Sequence, residues 1–164
     1  MFDETKLCPE AKGLNNGCAQ RAAWFHRLLA AAEAQGCDIE KLTDDAIFTF
    51  GAEAVPENAG DEPCDFLRFM TENAVFHELF GKETVEESPD RCVIHFHNCP
   101  LVSAWKKMGL PAERIDRLCD LANKGDYGKA AQFKNVTLTI PKRLGAGDDY
   151  CVLCIERKKT EEPA

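Results

Sequence analysis

No stretch of this 164-residue chain approaches the run of about 18 apolar residues that marks a membrane-spanning helix, so no helical bilayer span is expected. Basic residues are in deficit. The 20 Lys and Arg face 28 Asp and Glu, for a formal charge of -8, which argues against nucleic acid or an anionic membrane as the main partner. The opening MFDETKLCPE lacks the apolar centre of a signal peptide, and a cytoplasmic location is the resulting expectation. No internal repeat is present. The cysteines do not fall at the spacing of a zinc finger or a ferredoxin.

Cysteine itself is abundant. Nine is an odd number, so a full disulfide frame would leave one unpaired, and no export signal precedes them. Free thiols in a reducing compartment fit better, some as ligands or nucleophiles and the rest as small core residues. The remaining composition, 45% hydrophobic and 29% charged, is that of an ordinary globular protein, and the length suits one domain with a substantial core.

Along the chain, residues 1–17 read as an irregular leader, rich in Gly, Asn and Pro. Residues 18–87 read as a helical half. A helix fits 19–35, with Ala22, Phe25, Leu29 and Ala32 on one face and Gly36 as its stop. Thr43 is the expected cap of a second helix. A third runs to Gly81, with Asp61 as cap, Pro63 in its first turn and Phe66, Phe69, Met70, Asn73, Phe76 and Phe80 at helical spacing. Asn73 and His77, four apart, read as a pair on the helix surface. The stretch KETVEESPD reads as a polar turn.

Residues 88–156 change character. RCVIHFHN reads as a strand, CPLVSAWKKMG as a helix opened by Pro100 and closed by Gly109, and PAERIDRLCDLANKG as another with the same grammar. VTLTIPK and YCVLCIER read as strands joined by an LGAGDD turn, and 157–164 as a frayed tail. The class is α+β: N-terminal helices, then a small, mainly antiparallel sheet with two inserted helices.

The chemistry concentrates in HFHNCPL. Alternation along a strand sends His95, His97 and Cys99 to one face. With Pro100 as first helical residue, Cys99 is an N-cap whose sulfur faces the free N–H groups of Leu101 and Val102. The helix dipole then favours thiolate and a lowered pKa. His97 is the companion base such a nucleophile needs, and His95 reads as a solvated sheet residue. Cys119 falls on an apolar helix face with Ile115, Leu118 and Ala122, beside a solvent-facing Asp120. Cys151 and Cys154, three apart on a strand, point to opposite faces and do not form a clamp. Cys8 and Cys18 lie in the leader, where nothing fixes their geometry, and Cys37, Cys64 and Cys92 read as structural.

The ordered set 99-CPLVSAW-105, 118-LCDLANKGD-126, 133-FKNVTL-138 and 147-GDDYC-151 resembles the L-2-amino-thiazoline-4-carboxylic acid hydrolase family over roughly residues 88–156. Matching positions are Cys99, Cys119, Asp126, Asn135, Asp148 and Cys151. The chain departs from the pattern before the cysteine, with His-Phe-His-Asn in place of a Val-Thr-Arg-like run. The resemblance implies a hydrolase acting on the non-peptide C–N bonds of a cyclic amidine, and it implies no cofactor. Cys99 would be the nucleophile, His97 the acid/base and Asp126 or Asp148 the amidinium anchor. Asn135 and Asp148 would contact a small-molecule substrate. The competing reading is a metal-binding module, with Cys99, Cys119, Cys151 and His97 holding zinc or an iron–sulfur cluster. A third is a small-molecule sensor whose pocket the Phe-rich helix lines. Neither nucleic acid nor membrane is an expected partner, and homo-oligomerisation stays open.

Overall fold

A computed structural model describes residues 2–159. Its first long element is α1 (Pro9–Ala34), which begins well inside the stretch expected to be an irregular leader. Gly13, Asn15, Asn16 and Gly17 each lower helix propensity. Burial outweighs that cost here: Ala11 and Cys18 pack with Leu7 and Leu79, and the Cys8 sulfur accepts the Ala11 N–H at 3.4 Å as a cap. The expected apolar face of this helix is the observed one, with Ala22 and Leu29 buried and Phe25 and Ala32 packed beside them. Gly36 (φ 75°) follows its end.

The second helical stretch starts earlier than Thr43. Asp38 caps α2 (Ile39–Thr43) by accepting the N–H groups of Glu40 and Lys41, and Thr43 is a buried interior residue whose hydroxyl donates to Ile39 O at 2.8 Å. A π turn (Asp44–Phe48) leads into α3 (Thr49–Glu53).

The helix expected to run to Gly81 is broken in two. Glu62, not Asp61, caps α4 (Pro63–Thr71) in a capping box with Asp65, and Asp61 instead pairs with Lys134. Asn73 then caps α5 (Ala74–Phe80), its side chain accepting the Phe76 N–H at 3.1 Å. A residue well suited to an N-cap has interrupted an otherwise helical pattern. Gly81 closes α5 in the left-handed conformation at φ 55°.

The stretch expected to be a polar turn is β1 (Lys82–Glu87), an edge strand whose exposed charges suit an edge. It is followed by β2 (Arg91–Phe96), α6 (Pro100–Lys107), α7 (Ala112–Ala130), β3 (Val136–Lys142) and β4 (Cys151–Arg157). The strands pair in the order β1-β2-β4-β3, antiparallel throughout. The α+β architecture is therefore the one expected. Helix α7 runs past Gly125, the expected stop, because Gly125 and Gly128 are where it meets the second helical stretch. A Cβ on Gly128 would lie 2.0 Å from Phe48 O, and one on Gly51 would lie 1.9 Å from Gly125 O.

Cys92, Ile94 and Phe96 of β2 and Cys151, Leu153 and Ile155 of β4 form the inner face of the sheet, covered by Phe66, Leu67 and Met70 of α4 together with Phe133. The rings of Phe66 and Phe133 lie 4.9 Å apart, so the Phe66 side of this segment builds core. Each such ring stabilises the fold by about 1.5–3 kcal/mol through burial. A second core lies between α1, α6 and α7 around Trp105, whose indole N–H donates to Ala22 O at 2.9 Å. Among the described residues, no helix is long and apolar enough to cross a membrane. The tail residues 160–164 lie outside the described part.

Candidate functional site

Strand β2 ends at Phe96, and this decides where its chemistry points. His95 and His97 keep the alternation and face outward, His97 exposed. Its backbone N–H still bonds to Gly81 O at 3.2 Å, and that of Asn98 to Phe80 O at 3.0 Å. Asn98 is buried, its amide donating to Leu79 O at 2.8 Å, and the chain turns there. Cys99 is thereby directed inward, against the core around Trp105, Leu118 and Cys119. The expectation that His95, His97 and Cys99 share a face is corrected: the period-2 rule lapses where the strand does.

Cys99 is the N-residue of α6, as expected, yet its thiol is not acidic. Burial pushes it up to about 12, outweighing the Val102 and Leu101 N–H groups that pull the other way, and its sulfur makes no capping hydrogen bond. Removing water from around a sulfur disfavours the charged form more than one helix turn favours it here. Cys119 is likewise pushed up to about 12 by burial, and the Cys151 thiol is raised for the same reason.

The fold brings these three cysteines together. A charge on Cys119 or Cys151 would act on Cys99, and one on Cys151 would act on Cys119. The turn between β3 and β4 lies directly on them. Leu144 N–H donates to the Cys151 sulfur at 3.3 Å, and a Cβ on Gly145 would sit 2.7 Å from the Cys119 sulfur. Asp148 holds this turn by accepting the Arg143 N–H at 2.8 Å. The Arg143 guanidinium reaches Asp116 at 2.9 Å and also pairs with Asp120. Beside the turn, Lys106, Leu110, Ile115 and Gly145 help line a groove of about 290 Å³. Cys154 points away from the cluster, paired across the sheet with Val93, as the strand spacing requires.

Asp126 of α7 belongs to the same region. Its charge raises the Cys151 thiol, and it holds Lys129 at 2.9 Å. It also acts on Lys82, in the stretch expected to be a polar turn. Lys82 pairs across the sheet with Phe96, which pairs in turn with Cys151, so the three form one row on the inner face. The Lys82 ammonium lies 5.2 Å from the Phe96 ring centre and 5.7 Å from that of Phe80, and it donates to Met70 O. Burial holds its pKa down to about 8. An ammonium kept among rings and a carbonyl, with no carboxylate in direct contact among the described residues, is the arrangement that makes a lysine a usable acid/base near neutrality.

Two expected site residues lie elsewhere. Asn135 donates to Glu62 Oε1 at 2.7 Å and precedes Val136, which pairs with Arg157 at the far end of β4 from Cys151. Six strand steps of about 3.3 Å separate the two ends, so Asn135 is a structural tie here and not a neighbour of the cysteines. His97 contacts Glu83, with Nε2 2.8 Å from Oε2. It therefore completes no Cys₃His set, and among the described residues the three sulfurs do not all lie within 4.8 Å of one another. Cys64 and Cys92, read as structural, sit together at 3.8 Å below the Ser88 carbonyl.

Comparison with known proteins adds two findings. A crystal structure of a trafficking protein particle complex subunit 3 from Naegleria fowleri, covalently bound to palmitic acid, matches with a TM-score of 0.55 at 15% identity. The match covers 90% of this chain and 98% of that one, and at this identity it establishes a shared fold. No curated protein matches the chain. The family model for L-2-amino-thiazoline-4-carboxylic acid hydrolase matches residues 18–155, which takes in the helical N-terminal half as well as the cysteine-bearing half. The chain belongs to the L-2-amino-thiazoline-4-carboxylic acid hydrolase family.

Proposed function

We propose that this protein opens the ring of a cyclic amidine or isothiourea of the 2-aminothiazoline-4-carboxylate type, with Cys99 as nucleophile. The observation that supports this reading is the grouping of Cys99, Cys119 and Cys151, with Asp126 acting on Cys151 and Lys82 in the sheet row of Cys151, within a chain of this hydrolase family.

The substrate carbon is bonded to nitrogen and sulfur and becomes tetrahedral when a nucleophile adds. A thiol raised to about 12 is protonated at neutral pH, so Cys99 must lose its proton as it attacks. Lys82, held down to about 8, has a neutral fraction able to accept a proton and a charged fraction able to return one to the ring nitrogen as the ring C–N bond breaks. Water then attacks the carbon bound to the Cys99 sulfur, and departure of that sulfur restores the thiol and completes the addition of one water. This role replaces the one expected of His97, which faces the other side of the sheet. Asp126 provides the anion for the amidinium. A cation bound there also favours the Cys99 thiolate, so substrate binding itself activates the nucleophile. Lys106, at the rim of the groove, supplies a cation for the substrate carboxylate.

The test is incubation with 2-aminothiazoline-4-carboxylate and mass spectrometry for a product heavier by one water. Wild type should form it, Cys99→Ala should not, and Asp126→Asn should raise KM more than it lowers kcat. Full turnover by Cys99→Ala, or no product from wild type, refutes the reading.

A further inference from the structure

The face of the sheet opposite the cysteines carries a second constellation. Glu83 on β1 and His95 on β2 are direct cross-strand partners, and His97 follows two positions later on the same face. One ligand atom from each, a carboxylate oxygen and two ring nitrogens, all lie within 4.8 Å of one another. The existing contact between His97 Nε2 and Glu83 Oε2 is 2.8 Å. Zinc–nitrogen and zinc–oxygen bonds of about 2.0–2.2 Å put neighbouring ligands of a tetrahedral ion about 3.3–3.5 Å apart, so small side-chain adjustments would admit one.

The backbone explains why these donors converge. Pairing of β1 and β2 continues past Phe96 through the His97 N–H to Gly81 O bond. The residue opposite His97 is thus a glycine, in the left-handed conformation, and an added Cβ there would come within 3.4 Å of His97 Cβ. The Phe2 ring lies closer still, 2.9 Å from that Cβ position, and the His97 ring meets Glu83. The His95 ring is buttressed by Tyr150, stacked at 4.5 Å between centroids, and Tyr150 also lies 5.7 Å from His97. The Lys142 ammonium is over the Tyr150 ring, 5.2 Å from its centre. His95 is half-buried, which shields one side of the site, and Glu83 and His97 are exposed, which leaves the other side open.

We infer that Glu83, His95 and His97 form a binding site for a divalent transition-metal ion of the zinc class, with three protein ligands and at least one position open to water or a small ligand. Two imidazoles and one carboxylate are borderline donors that favour zinc over magnesium or calcium. The site is independent of the cysteine cluster and of the proposed hydrolysis, since its donors lie on the other face of the sheet.

The chain has only four histidines, so NMR of the imidazole rings during addition of zinc chloride reads the site directly. One equivalent of zinc should shift the His95 and His97 signals together and leave His26 and His77 in place. Glu83→Gln and His95→Gln should each weaken zinc binding by about 10-fold or more, with unchanged circular dichroism. Addition of cobalt(II) should give a visible spectrum without thiolate charge transfer. Equal movement of all four histidines, unchanged affinity in Glu83→Gln, or a thiolate-to-cobalt band as the only feature would overturn the inference; the last would assign the metal to cysteine.

Discussion

Lys82→Met isolates the energetic consequence of burying an ammonium beside Phe80 and Phe96. Lysine in the unfolded chain ionises near 10.5, whereas burial holds Lys82 at about 8 in the folded protein. Between those values the unfolded state binds more protons, so the wild-type stability contributed by this group rises with pH. Below about 8 both states are protonated and the full desolvation cost is present; above 10.5 both are neutral and it has gone. Each pKa unit is worth about 1.36 kcal/mol, so the cost at neutral pH is about 3 kcal/mol. Methionine fills a similar volume without the charge. The bond to the Met70 carbonyl and the contacts to both rings are also lost, but the apolar packing part of any change does not depend on pH. The diagnostic is therefore the difference between variant and wild type across pH, measured by urea unfolding under reducing conditions. From neutral pH to above 10.5 the stability advantage of Lys82→Met should shrink by about 3 kcal/mol. The same variant should lose ring-opening activity. A stability difference that stays constant with pH would mean that Lys82 is not desolvated, and it would remove the physical basis for its acid/base role.

The contact between α7 and the second helical stretch can be tested with two neighbouring glycines. Gly128→Ala drives a methyl into Phe48 O and should cost about 3 kcal/mol or more by thermal or chemical unfolding. Gly125→Ala meets only Ile47, at 3.6 Å, and should be neutral or stabilising by up to about 1 kcal/mol. Asn135→Ala removes the hydrogen bond to Glu62 and should cost about 1 kcal/mol of stability while leaving the KM and kcat of ring opening unchanged. A large rise in KM would instead return Asn135 to the substrate site.

Several features were determined by the sequence alone. The Pro-in grammar marks the start of α6, and alternation in VTLTIPK and YCVLCIER marks two strands and separates Cys151 from Cys154. These readings succeed because local propensity and side-chain periodicity agree with what the fold buries. The α+β class and the family follow from the same kind of information. The failures share a different cause. The leader becomes helix because Ala11 and Cys18 find Leu79, roughly 60 to 70 residues away in the chain, and Gly125 fails to stop α7 because the helix packs there against the second helical stretch, where a Cβ on Gly51 would lie 1.9 Å from Gly125 O. Only the tertiary structure could decide the site. It ends β2 one residue before His97 and turns Cys99 inward at Asn98. It encloses the thiol so that desolvation reverses the expected pKa shift, and it places Lys82 in the row with Phe96 and Cys151. Each of these depends on which surfaces lose water when distant segments meet. A linear pattern of residues does not carry that information.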